Sequence, residues 1–202
     1  MKKTTYNSKF RFVESVFLSI SFISAIVFTF PSCNQSKPKD TKEVAENQNE
    51  AKFENALEED AKFLVNAAEI NLEQIQLGEL AQTKGAANHV KKLGKMMVDA
   101  HTKALADLNE LATKKQIIIP STITDDGKTA VKNLMDSKVV NFDKEYATMM
   151  VKSHENAISE FEKASKNAKD SDIRNWASTM LPSLRTHLNE SKICKEQCEK
   201  NS

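Results

Sequence analysis

Three histidines lie inside apolar stripes, where a ligand or a hydrogen-bonded polar core is the usual reason for their presence. His101 falls between Met97 and Ala104, His154 between Met150 and Ile158, and His187 among Met180, Leu184 and Cys194. Recurrence at three and four residues puts each on the buried side of a helix. Imidazoles from three facing helices suit zinc, copper, nickel or iron. As neutral rings they could instead bond Asn71, Tyr146 or one another in a polar layer that fixes helix register. Both readings stay open on spacing alone. A di-iron centre needs inward Glu residues and Glu-x-x-His pairs; the residues three before these histidines are Val98, Val151 and Leu184. The fourth histidine, His89, opens a helix and is expected at the surface.

Cys194 and Cys198 share a helix face with His187. Their i, i+4 spacing permits a strained disulfide after fraying, or two thiolates for a soft ion such as Cu(I). An oxidising compartment favours the disulfide or two end-of-helix thiols. His187 lies about 10 Å along the axis from Cys194, too far to share one ion with the pair. Asp60 and Asp143 are three turns from Asn71 and His154, so capping or ion pairing near helix starts is their expected role. No Gly-rich phosphate loop, Ser-His-Asp order or Cys-x-x-Cys motif is present. The expectation is a binding or structural module and not an enzyme.

The third cysteine speaks to location. Lys2, Lys3, Lys9 and Arg11 precede Ser15 to Phe30, sixteen residues without a charge, followed by Pro31-Ser32-Cys33. This is the plan of a secretory signal, and it is short for a bilayer span of about 20 residues. Phe30-Pro31-Ser32-Cys33 resembles the lipobox of bacterial lipoproteins, which implies cleavage before Cys33 and its acylation. Residues 1–32 are thus expected to be a signal peptide, and the membrane is expected to be a partner through lipid on Cys33. Their removal takes away four bases and one acid, turning a net charge of +1 into an excess of 27 acidic over 25 basic residues. Such a balance lacks the basic footprint of a nucleic-acid binder. Residues 33–55 are polar and charged and are expected to form a flexible tether reaching about 25–30 Å.

The elements that must position the histidines follow from composition and period. Four Gly, four Pro and two Tyr in 202 residues are too few for a many-turned β architecture. Apolar stripes predict a helix from Glu54 to Gly85 and a second from Asn88 to about Ile117. A short helix is expected over Asp125 to Met135 with Thr124 as its cap, then long helices over Phe142 to Ala168 and Ser171 to Lys200, the last capped by Asp170 and kinked at Pro182. The first pair of long helices overlays the second at a constant offset of 83: Asp60, Phe63 and Ala67 fall on Asp143, Tyr146 and Met150. Segment 115–141 is long enough to run the length of the bundle, as in ferritin-like crossovers. With that plan the three histidines stand about 22, 22 and 24 Å above one end; with simple up-down order, about 22, 18 and 16 Å.

Leu77-Gly78-x-Leu80-Ala81, Met97-Val98-x-x-His101, Phe142-Asp143-x-x-Tyr146, Met150-Val151-x-x-His154 and Leu181-Pro182-x-Leu184-x-x-His187-Leu188 stand in this order over residues 57–190. Together they resemble the bacterial domain-of-unknown-function family 4142. One position departs from its pattern: Ala100 precedes the second-helix histidine where an acidic residue is usual, with Asp99 one further back. The resemblance implies an all-α, ferritin-like four-helix bundle over residues 56–200 with a short extra helix in the connection between the second and third long helices. It also implies a cell-envelope, outer-membrane protein and supplies no activity. The leading expectation is a lipid-anchored envelope module of unknown biochemistry, with a homo-oligomer or another envelope protein as candidate partner. The alternative is a periplasmic or surface metal-binding protein using His101, His154 and His187 with zinc, copper or iron.

Overall fold

The structure is a computed structural model that describes residues 40–53 and 56–200. The expected signal segment, Cys33 and the start of the expected tether lie outside the described residues. Six helices follow in order: α1 (Thr41–Lys52), α2 (Ala56–Lys84), α3 (Asn88–Lys115), α4 (Asp125–Asp136), α5 (Val139–Asn167) and α6 (Ser171–Lys200). No strand occurs among the described residues, and none of their helices is long and apolar enough to cross a membrane. The four long helices form a bundle in which α2 pairs with α3 and α5 with α6; the two hairpins meet along α2/α5 and α3/α6.

Two carboxylates reveal the direction of each helix. Asp60, near the start of α2, accepts hydrogen bonds from the backbone N–H groups of Lys169 and Asp170 at 3.0 and 2.7 Å, in the α5–α6 loop. Asp143, near the start of α5, accepts from Ala86 and Ala87 at 2.9 and 2.8 Å, in the α2–α3 loop. Each acid therefore clamps the loop of the other hairpin, at positions related by the same offset of 83. If α2 runs up, α3 and α5 run down and α6 runs up. The 116–138 connection must then climb the bundle, as the crossover plan requires. The acids do cap helix starts, as their types suggest, but across the hairpins. Ala87, not Asn88, is the capping residue of α3 and makes no side-chain capping bond; Asp143 instead holds the N–H groups of Ala86 and of Ala87 itself. Asp60 is buried, so Asp60→Ala leaves two N–H groups without their charged acceptor. We expect it to cost about 2 kcal/mol in urea unfolding, with Asp143→Ala, at a more exposed site, costing less. Equal stability of Asp60→Ala and wild type would remove the clamp from the account.

The other capping expectations hold. The Thr124 hydroxyl accepts from Gly127 N–H at the start of α4, and Asp170 accepts from the N–H groups of Asp172 and Ile173 at the start of α6. The α6 helix continues through Pro182. The α5 helix begins at Val139, three residues earlier than periodicity suggests, and leaves Val139 and Val140 exposed.

The expected tether is corrected over residues 41–52. These form α1, which packs on α2 and straps down the connection. Asn49 makes a two-point contact with Ile118, donating to its carbonyl at 2.7 Å and accepting from its N–H at 2.9 Å. Thr41 donates to the Thr122 carbonyl and Lys52 to that of Gln116. A segment poor in apolar residues is held here by polar side chains on backbone groups that would otherwise lack partners. Glu69 does the same for α4, accepting from both N–H and hydroxyl of Thr124 at 2.9 and 2.7 Å.

The core has two apolar halves. Leu64, Leu108, Phe161 and Ile173 belong to one; Leu77, Met97, Phe142 and Met150 belong to the other. Between them in the sequence of all four long helices stand buried polar residues: Asn71 and Gln74 on α2, His101 on α3, His154 on α5, and His187 and Ser191 on α6.

Candidate metal centre

His101, His154 and His187 come together. They are 3 %, 1 % and 5 % exposed, and their ring centroids form a near-equilateral triangle with sides of 5.6, 5.2 and 5.3 Å. One ring nitrogen from each lies within 4.8 Å of one from both others. The crossover explains the meeting, since it brings three separately placed histidines to one height.

The remaining nitrogens are tied outward. Asn71 donates its amide N–H to the Ala67 carbonyl at 2.7 Å, which turns its Oδ1 toward His101 Nδ1 at 2.8 Å. His154 Nδ1 lies 2.8 Å from the Met150 carbonyl, an acceptor only, so this nitrogen carries the proton. The same logic protonates His101 Nδ1. His187 Nε2 lies 3.2 Å from the Ser183 hydroxyl. Left over are His101 Nε2, His154 Nε2 and His187 Nδ1, all buried and all without a hydrogen-bond partner. Anchoring one nitrogen so that the other presents a lone pair is how proteins orient metal-ligating imidazoles.

Electrostatics keep these rings neutral. Burial holds His101 well below the usual histidine range, and the neighbouring His154 and His187 add repulsion. Burial also lowers His154, against its bond to the Met150 carbonyl, which favours the protonated form. Burial and His154 bring His187 down to about 4. Neutral imidazole is the form that ligates. No carboxylate belongs to the group. A cleft of about 250 Å3 lined by Ile70, Asn71, His101, Trp176, Met180 and His187 leads to it from the surface.

Asn71 thus reaches His101, whereas the Tyr146 hydroxyl bonds to none of the histidines. The tyrosine is fully buried in the half of the core containing Phe142 and Cys194, its hydroxyl has no hydrogen-bond partner, and burial pushes its ionisation far above the ordinary range. Tyr146 lies two helical turns before His154, and the helix carries its phenol into that apolar half. Gln74, which pattern reading passes over, joins the layer and donates to the Ser153 hydroxyl at 2.9 Å.

Cys194 and Cys198 are buried, are not joined in a disulfide, and lie in hydrogen-bonding contact. His89 departs from its expected surface position: it is half-buried, and its Nε2 lies 3.4 Å from Cys198 Sγ. The α2–α3 turn swings the first turn of α3 against the last turn of α6, which the crossover order makes neighbours.

No match is found among curated proteins or among solved structures. Residues 43–192 match the family described as Domain of unknown function (DUF4142), a span that begins within α1 and takes in His101, His154 and His187. The chain belongs to the DUF4142 family.

Proposed function

We propose that this domain is a transition-metal-binding module, held at the cell envelope by lipid on Cys33. One observation carries the metal reading: three buried ring nitrogens face one another without partners while the other nitrogen of each ring is anchored. Three inward ring nitrogens left without partners in a buried layer are costly unless something accepts their lone pairs. A first-row divalent ion such as Zn2+, Cu2+ or Fe2+ accepts all three and keeps a further coordination position toward the cleft. His101, His154 and His187 would be its ligands, and Asn71, the Met150 carbonyl and Ser183 would orient them.

The test is metal titration of the full chain in a Cys194→Ser/Cys198→Ser background, which isolates the histidine centre. One equivalent of Zn2+ or Cu2+ is expected to bind, and His101→Ala/His154→Ala/His187→Ala is expected to abolish it. Asn71→Ala, which leaves every ligand in place, is expected to weaken binding about 10- to 100-fold. Should no ion bind more tightly than about 1 mM, or the triple variant bind as well as its parent, the cluster is a structural polar layer.

The anchor reading rests on the sixteen-residue uncharged run ending in Ser32-Cys33. Cells fed a labelled fatty acid are expected to label wild-type protein and not Cys33→Ala. Label that persists in the variant would place the lipid elsewhere or remove it from the account.

A further inference from the structure

The far end of the bundle from the α5–α6 loop carries a second group of donors. His89 on α3 and Cys194 and Cys198 on α6 each offer one ligand atom within 4.8 Å of the others. The group shares no residue with the histidine centre. The internal repeat sharpens its meaning. At the offset of 83, His89 corresponds to Asp172 and Cys198 to Lys115. Lys115 and Asp172 form an ion pair at 2.8 Å, which closes the other end of the bundle with help from Asp170 at 2.5 Å. Equivalent positions thus hold an ordinary hard ion pair in one half of the molecule and an imidazole against a thiol in the other. A second thiol, Cys194, stands where the first half has Leu111.

We infer that His89, Cys194 and Cys198 form a binding site for a soft monovalent cation, Cu(I). Two sulfurs and one imidazole nitrogen are the donors that select it. The Asp143 carboxylate, close enough to raise both thiols, is already engaged: its two oxygens accept from Ala86 and Ala87. The donors brought together are two sulfurs and an imidazole nitrogen, a soft set that suits Cu(I). A shallow cleft of about 250 Å3 lined by His89, Met96 and Cys194 opens the site to solvent and offers the Met96 thioether as a soft approach. Binding replaces two S–H protons by two Cu–S bonds, releases both protons to solvent, and leaves copper in the oxidation state in which it arrives. Burial pushes the Cys194 thiol up to about 12, with Cys198 beside it adding to the rise. Burial and Asp143 raise Cys198 as well. The empty site accordingly holds protonated thiols, the form slow to react with oxidants.

The experiment is anaerobic Cu(I) titration of the full chain carrying Cys33→Ala, so that the thiols of α6 alone report. One copper equivalent is expected, with thiolate-to-copper absorption in the near ultraviolet. His101→Ala/His154→Ala/His187→Ala is expected to keep both; Cys194→Ser/Cys198→Ser is expected to lose both, and His89→Ala to bind more weakly. Absence of the absorption in the parent, or its survival in the double serine variant, overturns the proposal. X-ray absorption of the copper-loaded parent reads the ligands without any change in α6: sulfur neighbours uphold the site, and a nitrogen-only shell overturns it. Failure of the histidine centre alone would leave this result untouched, because the triple alanine variant is tested separately.

Discussion

Gly94→Leu is expected to destabilise the bundle by at least about 3 kcal/mol, or to prevent its folding. Gly94 on α3 faces Gly78 on α2, less than two turns from the loop that joins these helices. A Cβ on Gly94 would lie 2.7 Å from the Gly78 carbonyl oxygen and 2.9 Å from Ala81 Cβ; one on Gly78 would lie 2.7 Å from the Gly94 oxygen. The obstacle is backbone on both sides, so no rotamer change relieves it and the helices must separate. Helix propensity points the other way, favouring Ala over Gly by about 1 kcal/mol in a helix interior. The sign of Gly94→Ala therefore decides which effect governs. We expect a net loss of about 1 kcal/mol in urea unfolding, since close packing is disturbed by about 1–3 kcal/mol. A stabilised Gly94→Ala would show that the helices do not meet so closely. The repeat makes the point from inside the molecule: the equivalents of Gly78 and Gly94 are Phe161 and Ala177, so the second hairpin builds the same crossing around an aromatic ring.

That contact shows which parts of the structure the sequence could disclose. Long helices announce themselves because burial of one face imposes a period on many residues at once, and α2, α3, α4 and α6 begin and end within a residue or two of where that period and the caps place them. The crossover was legible from the length of 115–141 and from the repeat. With it came the meeting of His101, His154 and His187, whose heights depend on helix direction. Contacts made by single polar groups leave no such trace. Asn49 on the Ile118 backbone, Glu69 on Thr124 and Asp143 on the α2–α3 loop each depend on one residue reaching a partner 55 or more positions away. Hydrophobicity therefore reads 41–52 as a tether although it is a strap. The pairing of His89 with Cys198 was hidden for the same reason, although the repeat carries its signal: 89 and 198 are the images of 172 and 115, and an Asp opposite a Lys is a pattern a sequence can show.

Acidifying the metal-free protein from about pH 7 to about pH 4 is expected to remove about 3 kcal/mol of stability through His187 alone, with His101 and His154 adding to the loss. Above pH 6.5 the rings are neutral in both folded and unfolded chains, and stability is at its plateau. Below 6.5 the unfolded chain takes up protons that the folded core refuses, because burial lowers all three and brings His187 to about 4. Stability therefore falls as pH falls, and the fall slows only once the folded histidines accept protons themselves. The rings repel one another when charged, so their titration is shared and the curve belongs to the cluster. The carboxylates with lowered values act in another window. Hydrogen bonds from Lys115 and Lys114 bring Asp172 to about 2, and Asp170, bonded to Lys115 and to backbone N–H groups, is also lowered despite its partial burial. Their contribution is lost below about pH 4. Urea midpoints measured across this range on chelator-treated protein separate the two windows. In His101→Leu/His154→Leu/His187→Leu the decline between pH 6.5 and 4 should flatten while the decline below 4 persists. A wild-type midpoint that holds steady down to pH 4.5, or a triple variant that falls as steeply, would mean that the histidines accept protons in place. The inward lone pairs would then be spoken for by protons, and the same result would count against their service as metal ligands, since a ligand nitrogen must be free of its proton when the ion arrives.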